Sequence, residues 1–193
     1  MVCEREVGLV LIEGSPKAVR DVELGIISEL MKNGRMSDRD VARRLGVSQP
    51  TVSRMRHKLE KEGYIRKYTI VPNLEKLGFQ IVATTFVRFR EDLSTEERER
   101  FRKRAQERFE DDSYASSVVM FERGMGLGYT GMIVSFHESY ACYAEFLRMI
   151  KQFTVLESDV QSFLSDLNDK MHYRPMNFAP LAQHILSMRK AKE

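Results

Sequence analysis

Residues 37–62 contain two helix starts on either side of one glycine, and this spacing constrains the fold more than any other feature of the sequence. Ser37 precedes Asp40 by three residues, so its hydroxyl can cap the Asp40 N–H while the carboxylate reaches back. Gly46 can adopt the left-handed conformation that a tight turn between helices requires. Ser48 is then placed to cap a second helix. The sequence therefore predicts two short helices joined by a tight turn.

Apolar residues at helical spacing support these helices and a third one before them. The first helix is expected at 17–34 and should stop at Asn33-Gly34, the second at about 37–45, and the third up to Glu62-Gly63. Pro50 is acceptable in the third helix because it lies in the first turn, where its missing N–H has no intrahelical partner. The residues of the three helices that are predicted to face the core are Val19, Val22, Ile26, Ile27, Leu30, Val41, Ala42, Leu45, Val52, Met55 and Leu59.

The run 64–71 is β-branched, aromatic and basic, and Pro72-Asn73 ends it. This composition predicts a strand or small hairpin packed beside the helices, as in the wing of a winged helix-turn-helix. Residues 1–78 are therefore interpreted as one winged helix-turn-helix domain.

A different pattern, βαββαβ, begins near residue 79. We expect strands at 79–89, 115–122, 129–136 and 156–164, and helices at 94–111 and 138–152, listed here by kind. This order is typical of an α+β, ferredoxin-like sandwich in which two helices cover one face of an antiparallel sheet. The domain should span 79–167, and the remaining 168–193 form a C-terminal extension that could make a short helix without an evident partner.

The net charge of +3 is unevenly distributed along the chain. Residues 37–67 hold nine Lys and Arg against four Asp and Glu, a net +5 in this short segment. A local excess of this kind is expected of a surface that replaces counterions on DNA phosphates. The helix-turn-helix is therefore predicted to bind double-stranded DNA, with its second helix, which is the third helix of the chain, in the major groove.

The candidate DNA contacts lie on this helix, its flanks and the wing. Base-edge contacts are assigned, as a hypothesis, to Gln49, Thr51, Ser53 and Arg54, with Arg54 the best candidate for a bidentate guanine contact. Phosphate contacts are assigned to Arg43, Arg44, Lys58, Arg66 and Lys67. Ser48 completes the set at the helix start, and His57 on the exposed face is interpreted as a solvated side chain or a phosphate contact.

Other classes of protein are disfavoured by what the sequence lacks. It has no phosphate-binding loop, zinc-protease or nucleophile-elbow motif, so we expect no enzyme, metal or cofactor. Cys3 and Cys142 are far apart and predict two reduced thiols. The aromatic stripe of Phe101, Ala105 and Phe109 indicates core packing. Without a signal peptide or an apolar run that could span a bilayer, the protein is expected to be soluble and cytoplasmic.

At about residues 20–79 the sequence resembles the DNA-binding domain of the Lrp/AsnC (feast/famine) transcriptional regulators. The resemblance rests on Gly46, Ser48, Thr51, Ser53, Arg54, Leu59, Glu60, Gly63, Ile65, Tyr68 and Leu77-Gly78. It implies a sequence-specific regulator whose second, βαββαβ domain serves effector binding and oligomerisation. It also implies a homodimer, often assembled further, that binds palindromic operator DNA.

One loop departs from the family pattern, in which a Gly is followed shortly by an aromatic residue and Asp. This chain has three glycines and a tyrosine there, Gly124, Gly126, Gly128 and Tyr129. They are the candidate contacts for a small-molecule effector, an amino acid or another metabolite. The alternative is a flexible turn between two strands.

Two further interpretations stay open at this point. Some proteins that resemble this family are tetrapyrrole (siroheme-type) decarboxylases, for which Arg123, His137, His172 and Arg174 could grip a carboxylated substrate. Alternatively, the second domain could sense a small molecule while the DNA-binding half is vestigial. The capped helices and the basic face of the third helix argue against both alternatives.

Overall fold

The structure, a computed structural model, describes residues 21–110, 117–157, 159–171 and 176–190. The chain forms two compact units. Met1–Val71 and Arg174–Glu193 make the first unit, and Pro72–Tyr173 make the second. The end of the C-terminal extension therefore belongs with the N-terminal helices, which the sequence did not indicate.

The first unit contains the three expected helices, α1 (Asp21–Lys32), α2 (Asp38–Leu45) and α3 (Gln49–Lys61). Ser37 caps α2 by accepting a hydrogen bond from the Asp40 N–H at 3.2 Å, and its hydroxyl donates to the Asp40 carboxylate at 2.6 Å. Gly46 ends α2 with φ at 67°. The expected caps and turn are thus confirmed, while Val19 of the first predicted stripe lies outside the described residues.

The core of the first unit lies where these helices meet. Ile26, Val41 and Val52 are fully buried, and Leu59 is nearly so. Each buried aliphatic side chain of this size contributes about 1.5–3 kcal/mol relative to an exposed one, so this cluster fixes how α3 is held against α1 and α2. The helices also approach closely, since a Cβ built on Gly25 would meet Leu45 at 2.9 Å.

The extension contains a helix, α6 (Ala179–Lys190), which packs on α1. Ala182 is fully buried, and its carbonyl accepts a hydrogen bond of 3.0 Å from the Ser28 hydroxyl, itself buried in α1. The short helix was predicted from sequence, and the structure supplies its partner. The contact therefore joins α1 and α6 in one unit.

The prediction of a strand or hairpin over 64–71 is wrong. Within the described part of the chain these residues pair with no strand. β-branched and aromatic residues favour a strand only when a neighbouring backbone completes the ladder, and the described residues of the first unit offer none. The segment is exposed, with Ile70 at 73% of its maximal accessibility.

The second unit follows the predicted element order. A short 3-10 helix (Glu75–Leu77) leads into β1 (Ile81–Val87), α4 (Thr95–Glu110), β2 (Val118–Gly126), β3 (Tyr129–His137), α5 (Tyr140–Ile150) and β4 (Gln161–Asp166). The sheet order is β2-β3-β1-β4, and every neighbouring pair is antiparallel. This arrangement confirms the α+β, ferredoxin-like fold.

The strand boundaries differ from the prediction at two places. β2 extends to Gly126 and joins β3 through Leu127 and Gly128, whose φ values are 54° and 81°. Two central residues with positive φ make a tight hairpin that matches the twist of the strands, so the predicted loop is only two residues long. β4 starts later than expected, because Leu156 forms only an isolated bridge with Phe89.

Both helices of this unit contact the same face of the sheet. The buried cluster joins β1 and β3 to α5 through Val87, Ile133, Tyr143, Phe146 and Ile150. Phe101 of α4 contributes ring contacts to Phe89 and Phe121 on that face. Within α5, Phe146 is buried in this cluster, whereas Tyr140 is 66% exposed.

Candidate nucleic-acid interface

The N-terminus of α3 is built to be rigid. The Ser48 hydroxyl accepts a hydrogen bond from the Thr51 N–H at 3.3 Å and lies 2.8 Å from the Thr51 hydroxyl. Pro50 in the first turn fixes the backbone further without removing a helical hydrogen bond. Because Val52 anchors this turn in the core, the polar residues around it have fixed positions.

The face of α3 opposite Val52 and Leu59 is polar. Gln49, Ser53 and His57 follow at intervals of four and so form one stripe along the helix. Arg54 lies beside it and is exposed. Within the described residues, Arg54 has no ion-pair partner. This face therefore offers amide, hydroxyl and guanidinium groups to an external partner.

His57 is oriented by the helix itself. Its Nδ1 lies 3.0 Å from the Ser53 carbonyl oxygen, which can only accept, so Nδ1 carries the proton. The Nε2 atom is left for a partner outside the helix.

Three of the predicted phosphate ligands have carboxylate partners inside the protein. Arg43 pairs with Asp40 within α2. Arg44 reaches Glu29 of α1 at 2.8 Å. The hydrogen bond from Lys32, followed by the one from Arg44, holds the pKa of Glu29 below its ordinary value. Arg44 therefore ties α2 to α1.

Lys58 forms the corresponding link from α3. Its Nζ lies 2.6 Å from a carboxylate oxygen of Glu23, which is 3% exposed. A carboxylate this deeply buried needs a cation, because desolvation disfavours its charged form. Lys58 and Arg44 thus contribute to the packing of the unit, whatever they contact outside it.

Arg56 was not singled out from the sequence, yet it holds the segment after α3. Its guanidinium donates to Asp38 at 2.5 Å and to the Tyr68 hydroxyl at 2.9 Å. It also lies over the Tyr68 ring, 5.2 Å from the centroid, and Tyr68 donates to Glu60 at 2.7 Å. The available signal was Tyr68 in the family pattern, since a tyrosine hydroxyl can accept from a guanidinium and donate to a carboxylate at the same time.

Arg66 and Lys67 lie on the exposed segment that Tyr68 fixes. Both side chains are exposed, and they follow the C-terminal end of α3. The structure thus keeps the two predicted wing cations on the same unit as the polar face of α3, although the segment that carries them is not a strand.

The candidate effector residues lie on the β2–β3 hairpin. Gly124 and Gly126 are strand residues with nothing within 4 Å of an added Cβ, and Gly128 occupies the turn. Tyr129 is 7% exposed and donates to Asp159 at 3.1 Å. Burial, and then the bond to Asp159, raise the pKa of Tyr129.

Arg88, which the sequence did not suggest, joins these groups. Its guanidinium donates to the Gly128 carbonyl at 2.7 Å, lies 3.3 Å from Glu157, and stacks over the Tyr129 ring at 5.4 Å from the centroid. The turn is therefore contacted by a charged side chain from the end of β1.

Of the four residues considered for a tetrapyrrole site, the structure describes His137 and Arg123. His137 is 2% exposed, and its Nε2 lies 2.8 Å from the Ser135 hydroxyl. Arg123 lies over the Phe89 ring, with its Cζ 5.8 Å from the centroid. His172 and Arg174 lie outside the described residues. A histidine enclosed in this way cannot reach a bulky substrate.

The described ranges contain neither a metal site nor a membrane-spanning helix. There, no group of three His, Cys, Asp or Glu side chains is placed to hold a metal ion. None of the helices there has the length and apolar character needed to cross a membrane. Cys142 is exposed and free, while Cys3 is outside those ranges.

The first unit matches a known domain family. Residues 20–66 match the family described as winged helix-turn-helix DNA-binding. An uncharacterized HTH-type transcriptional regulator of Pyrococcus furiosus is 47% identical over 58 residues, which are 30% of this chain and 39% of that protein. Over a similar stretch, a leucine-responsive regulatory protein of Rhizobium meliloti is 36% identical over 66 residues, which are 34% of this chain and 42% of that protein. This chain spans about two fifths of the length of the first curated relatives it matches.

Solved structures that cover both units are similar to this chain in fold. An AsnC family transcriptional regulator from Agrobacterium tumefaciens has a TM-score of 0.64 at 20% identity, covering 82% of this chain and 95% of that one. A transcriptional regulator from Neisseria meningitidis, solved as a complex with L-Met, has a TM-score of 0.61 at 18% identity, covering 81% and 94%. The Pyrococcus, Agrobacterium and Neisseria proteins are named as transcriptional regulators and not as enzymes.

Proposed function

We propose that this chain is a sequence-specific DNA-binding transcriptional regulator that binds palindromic operator DNA as a dimer or higher oligomer. The polar face of α3 carries the proposal, because a capped helix presents Gln49, Ser53 and Arg54 on the side opposite its buried anchors. A helix-turn-helix places such a face in the major groove, where amide and guanidinium groups distinguish base pairs. A regulator of chromosomal DNA is expected in the cytoplasm.

The groups on this surface divide into two kinds of contact. Gln49, Thr51, Ser53 and Arg54 lie in the N-terminal half of α3, which enters the groove in this motif, so we assign them to base edges. Arg54 is assigned the guanine contact, since a guanidinium without an internal partner can present both N–H groups to O6 and N7.

Backbone contacts are assigned to the groups around this half. Ser48 and His57 flank it on the helix, and Arg43, Arg66 and Lys67 lie on α2 and the segment after α3. Each neutralised phosphate adds affinity without sequence preference. Arg44 and Lys58 contribute mainly by holding α2 and α3 on α1, because their charges already face Glu29 and Glu23.

A dimer follows from the size of the recognition surface. One helix in one groove covers only a few base pairs, whereas a two-fold dimer places two such helices about 34–36 Å apart on successive turns of the same DNA face. The operator should therefore be a palindrome whose half-sites are separated by one helical turn or a multiple of it.

We also propose that a small molecule, such as an amino acid, modulates DNA binding through the β2–β3 hairpin at Gly124, Gly126, Gly128 and Tyr129. The L-Met complex of the Neisseria neighbour supports an amino acid as the class of effector. Arg88 and Asp159 place opposite charges beside the Tyr129 ring, which suits a zwitterion. Titration calorimetry with L-methionine tests this; no heat from any amino acid would contradict it.

The test of the main proposal is selection of bound fragments from random duplex DNA, followed by titration of the selected sequence at several salt concentrations. We expect an enriched palindrome. Arg54→Ala should weaken binding to this sequence by about 1–3 kcal/mol and relax the preference at one base pair. Arg102→Ala is the matched control, because it removes the same charge from exposed α4.

Three results would oppose the proposal. They are no enriched sequence, binding only at low salt without sequence preference, and equal losses for Arg54→Ala and Arg102→Ala. The first two would favour a sensor whose DNA-binding half is vestigial. The third would place base recognition elsewhere on the surface.

A further inference from the structure

A cavity of about 470 Å³ lies inside the second unit, between α4, α5 and the sheet. Phe101 lines it from α4, Phe146 from α5, and Phe121 and Ile133 from the sheet. Protein cores seldom contain voids larger than a water molecule, whereas ligand pockets typically measure about 300–1,000 Å³. The cavity has the size of a small-molecule site and not of a packing gap.

Four phenylalanines and several aliphatic side chains form the apolar part of the cavity wall. Phe101 meets Phe121 and Phe153 edge to face, with ring centroids 6.5 and 6.4 Å apart. Ordered water needs two to four polar partners, which phenyl rings and the Ile133 side chain do not supply. An apolar occupant is therefore favoured, and a ring would gain the same edge-to-face contacts that the wall residues make with each other.

The rim is basic on the side of α4. Arg100 and Arg104 are one helical turn apart, both line the cavity, and both are exposed. In the part of the chain that the structure describes, neither has an ion-pair partner. Two neighbouring guanidinium groups of this kind suit a carboxylate, which can accept from both.

The other charges on the rim are already engaged. Arg90 pairs with Asp92. Glu97 accepts a hydrogen bond of 2.9 Å from the Ser94 N–H at the start of α4. The lining holds three arginines against the carboxylates of Asp92 and Glu97, so the net charge at the opening is positive by one.

We propose that this cavity binds a small monocarboxylate with an apolar body, either a phenyl-substituted acid or a medium-chain fatty acid. The apolar body occupies the space between Phe101, Phe121 and Ile133, and the carboxylate contacts Arg100 and Arg104. The lining includes none of the hairpin residues that we assign to the amino-acid effector. The basic rim also disfavours the ammonium group of an amino acid, so the two sites differ in ligand class.

The experiment is titration calorimetry on the full chain with 3-phenylpropanoate and with octanoate, which separates the two sources of the same chemistry. The primary amides of both acids test the carboxylate, and L-phenylalanine tests the added ammonium group. We expect at least one acid to bind saturably, and its amide and amino-acid analogue to bind about tenfold more weakly or worse.

Variants locate the binding. Arg100→Ala with Arg104→Ala should weaken the acid about tenfold or more, because both N–H donors are lost. Arg102→Ala with Lys103→Ala removes the same charge from the same helix outside the cavity lining, and should leave affinity within about twofold. Ala105→Phe should abolish binding by filling the cavity, and a circular-dichroism melt shows that each variant is folded.

Four outcomes overturn the proposal. Neither acid binds the folded wild-type chain, or the amides bind as tightly as the acids. The two double variants lose affinity equally, which would leave only a nonspecific charge effect. A folded Ala105→Phe variant binds the acid as the wild type does, which would place the acid on the surface of α4 and not in the cavity.

Discussion

Substitution of Lys58 tests whether this side chain stabilises the fold or contacts DNA. The sequence places it among the phosphate ligands, but its Nζ lies 2.6 Å from Glu23, which is 3% exposed. If the ammonium mainly neutralises this carboxylate, Lys58→Met should lower the stability of the fold. If it mainly contacts DNA, the same change should alter only the binding and its salt dependence.

The size of the stability effect follows from the distance and the exposure. At 2.6 Å two unit charges attract by about 1.6 kcal/mol in a medium like water and by about 6 kcal/mol at an effective dielectric constant of 20. The Lys58 side chain is 44% exposed, which favours the lower value, and the desolvation of Glu23 offsets part of the attraction. We therefore expect Lys58→Met to cost about 1–2 kcal/mol of unfolding free energy.

The assay is a double-mutant cycle of Glu23→Gln and Lys58→Met by chemical denaturation, with Lys61→Met as the matched control on the same helix. We expect a coupling energy of about 1 kcal/mol, no comparable loss for Lys61→Met, and an unchanged salt slope of DNA binding for Lys58→Met. The reasoning is refuted if stability is unchanged while the salt slope falls by about one, since Lys58 would then be a phosphate ligand.

Three further predictions concern the stability of each unit. Ala182→Leu should lower the free energy of unfolding by about 1–3 kcal/mol, because it overpacks the contact between α6 and α1. Gln183→Leu on the exposed side of α6 should not, and denaturant unfolding measures both. Gly46→Ala should lower the free energy of unfolding by about 1–2 kcal/mol, because φ at this position is 67°. A smaller loss for Gly46→Asn in the same experiment would confirm that the left-handed backbone conformation is the cause. Burial lowers the pKa of His137, so its contribution to stability is complete above the unfolded value of about 6.5 and is lost as the pH falls from there toward the folded value. Unfolding free energies between pH 8 and 5 should show this loss, and an identical pH dependence in a folded His137→Gln variant would refute it.

Local chemistry made the helix-turn-helix predictable. Ser37, Gly46 and Ser48 each act within four residues of their own position, through a cap or a backbone conformation that few other residues provide. The period of the apolar residues then determines which side of each helix faces the core. These signals need no knowledge of the rest of the chain.

The two wrongly predicted strand regions depend on contacts that the local sequence does not reveal. Residues 64–71 have a strong β composition, but a strand also needs a neighbour, and composition does not say whether one is present. The three glycines near residue 126 indicated a loop, while only Gly128 occupies the turn with positive φ. Gly124 and Gly126 are tolerated in the exposed strand beside it.

The roles of the residues on the candidate interface were harder to predict from the sequence, because they depend on partners that are distant along the chain. A basic residue on an exposed helix face has the same sequence signature whether it faces a phosphate or a carboxylate 35 residues away, as Lys58 faces Glu23. The signal that was available is Glu23 itself, three residues before the buried Ile26 on the same stripe. A carboxylate at a core-facing position indicates a cation nearby.

These contacts make α1 the helix on which the first unit depends. Glu29 and Glu23 hold α2 and α3 through Arg44 and Lys58, while Ser28 accommodates α6 from the other end of the chain, 154 residues away. An amphipathic helix such as α6 fits many apolar surfaces, so its partner could not be identified from its own sequence. Because one helix supports both the recognition helix and the C-terminal extension, a change that loosens α6 should also loosen α1, and the loss should appear in DNA affinity although α6 carries none of the assigned contacts.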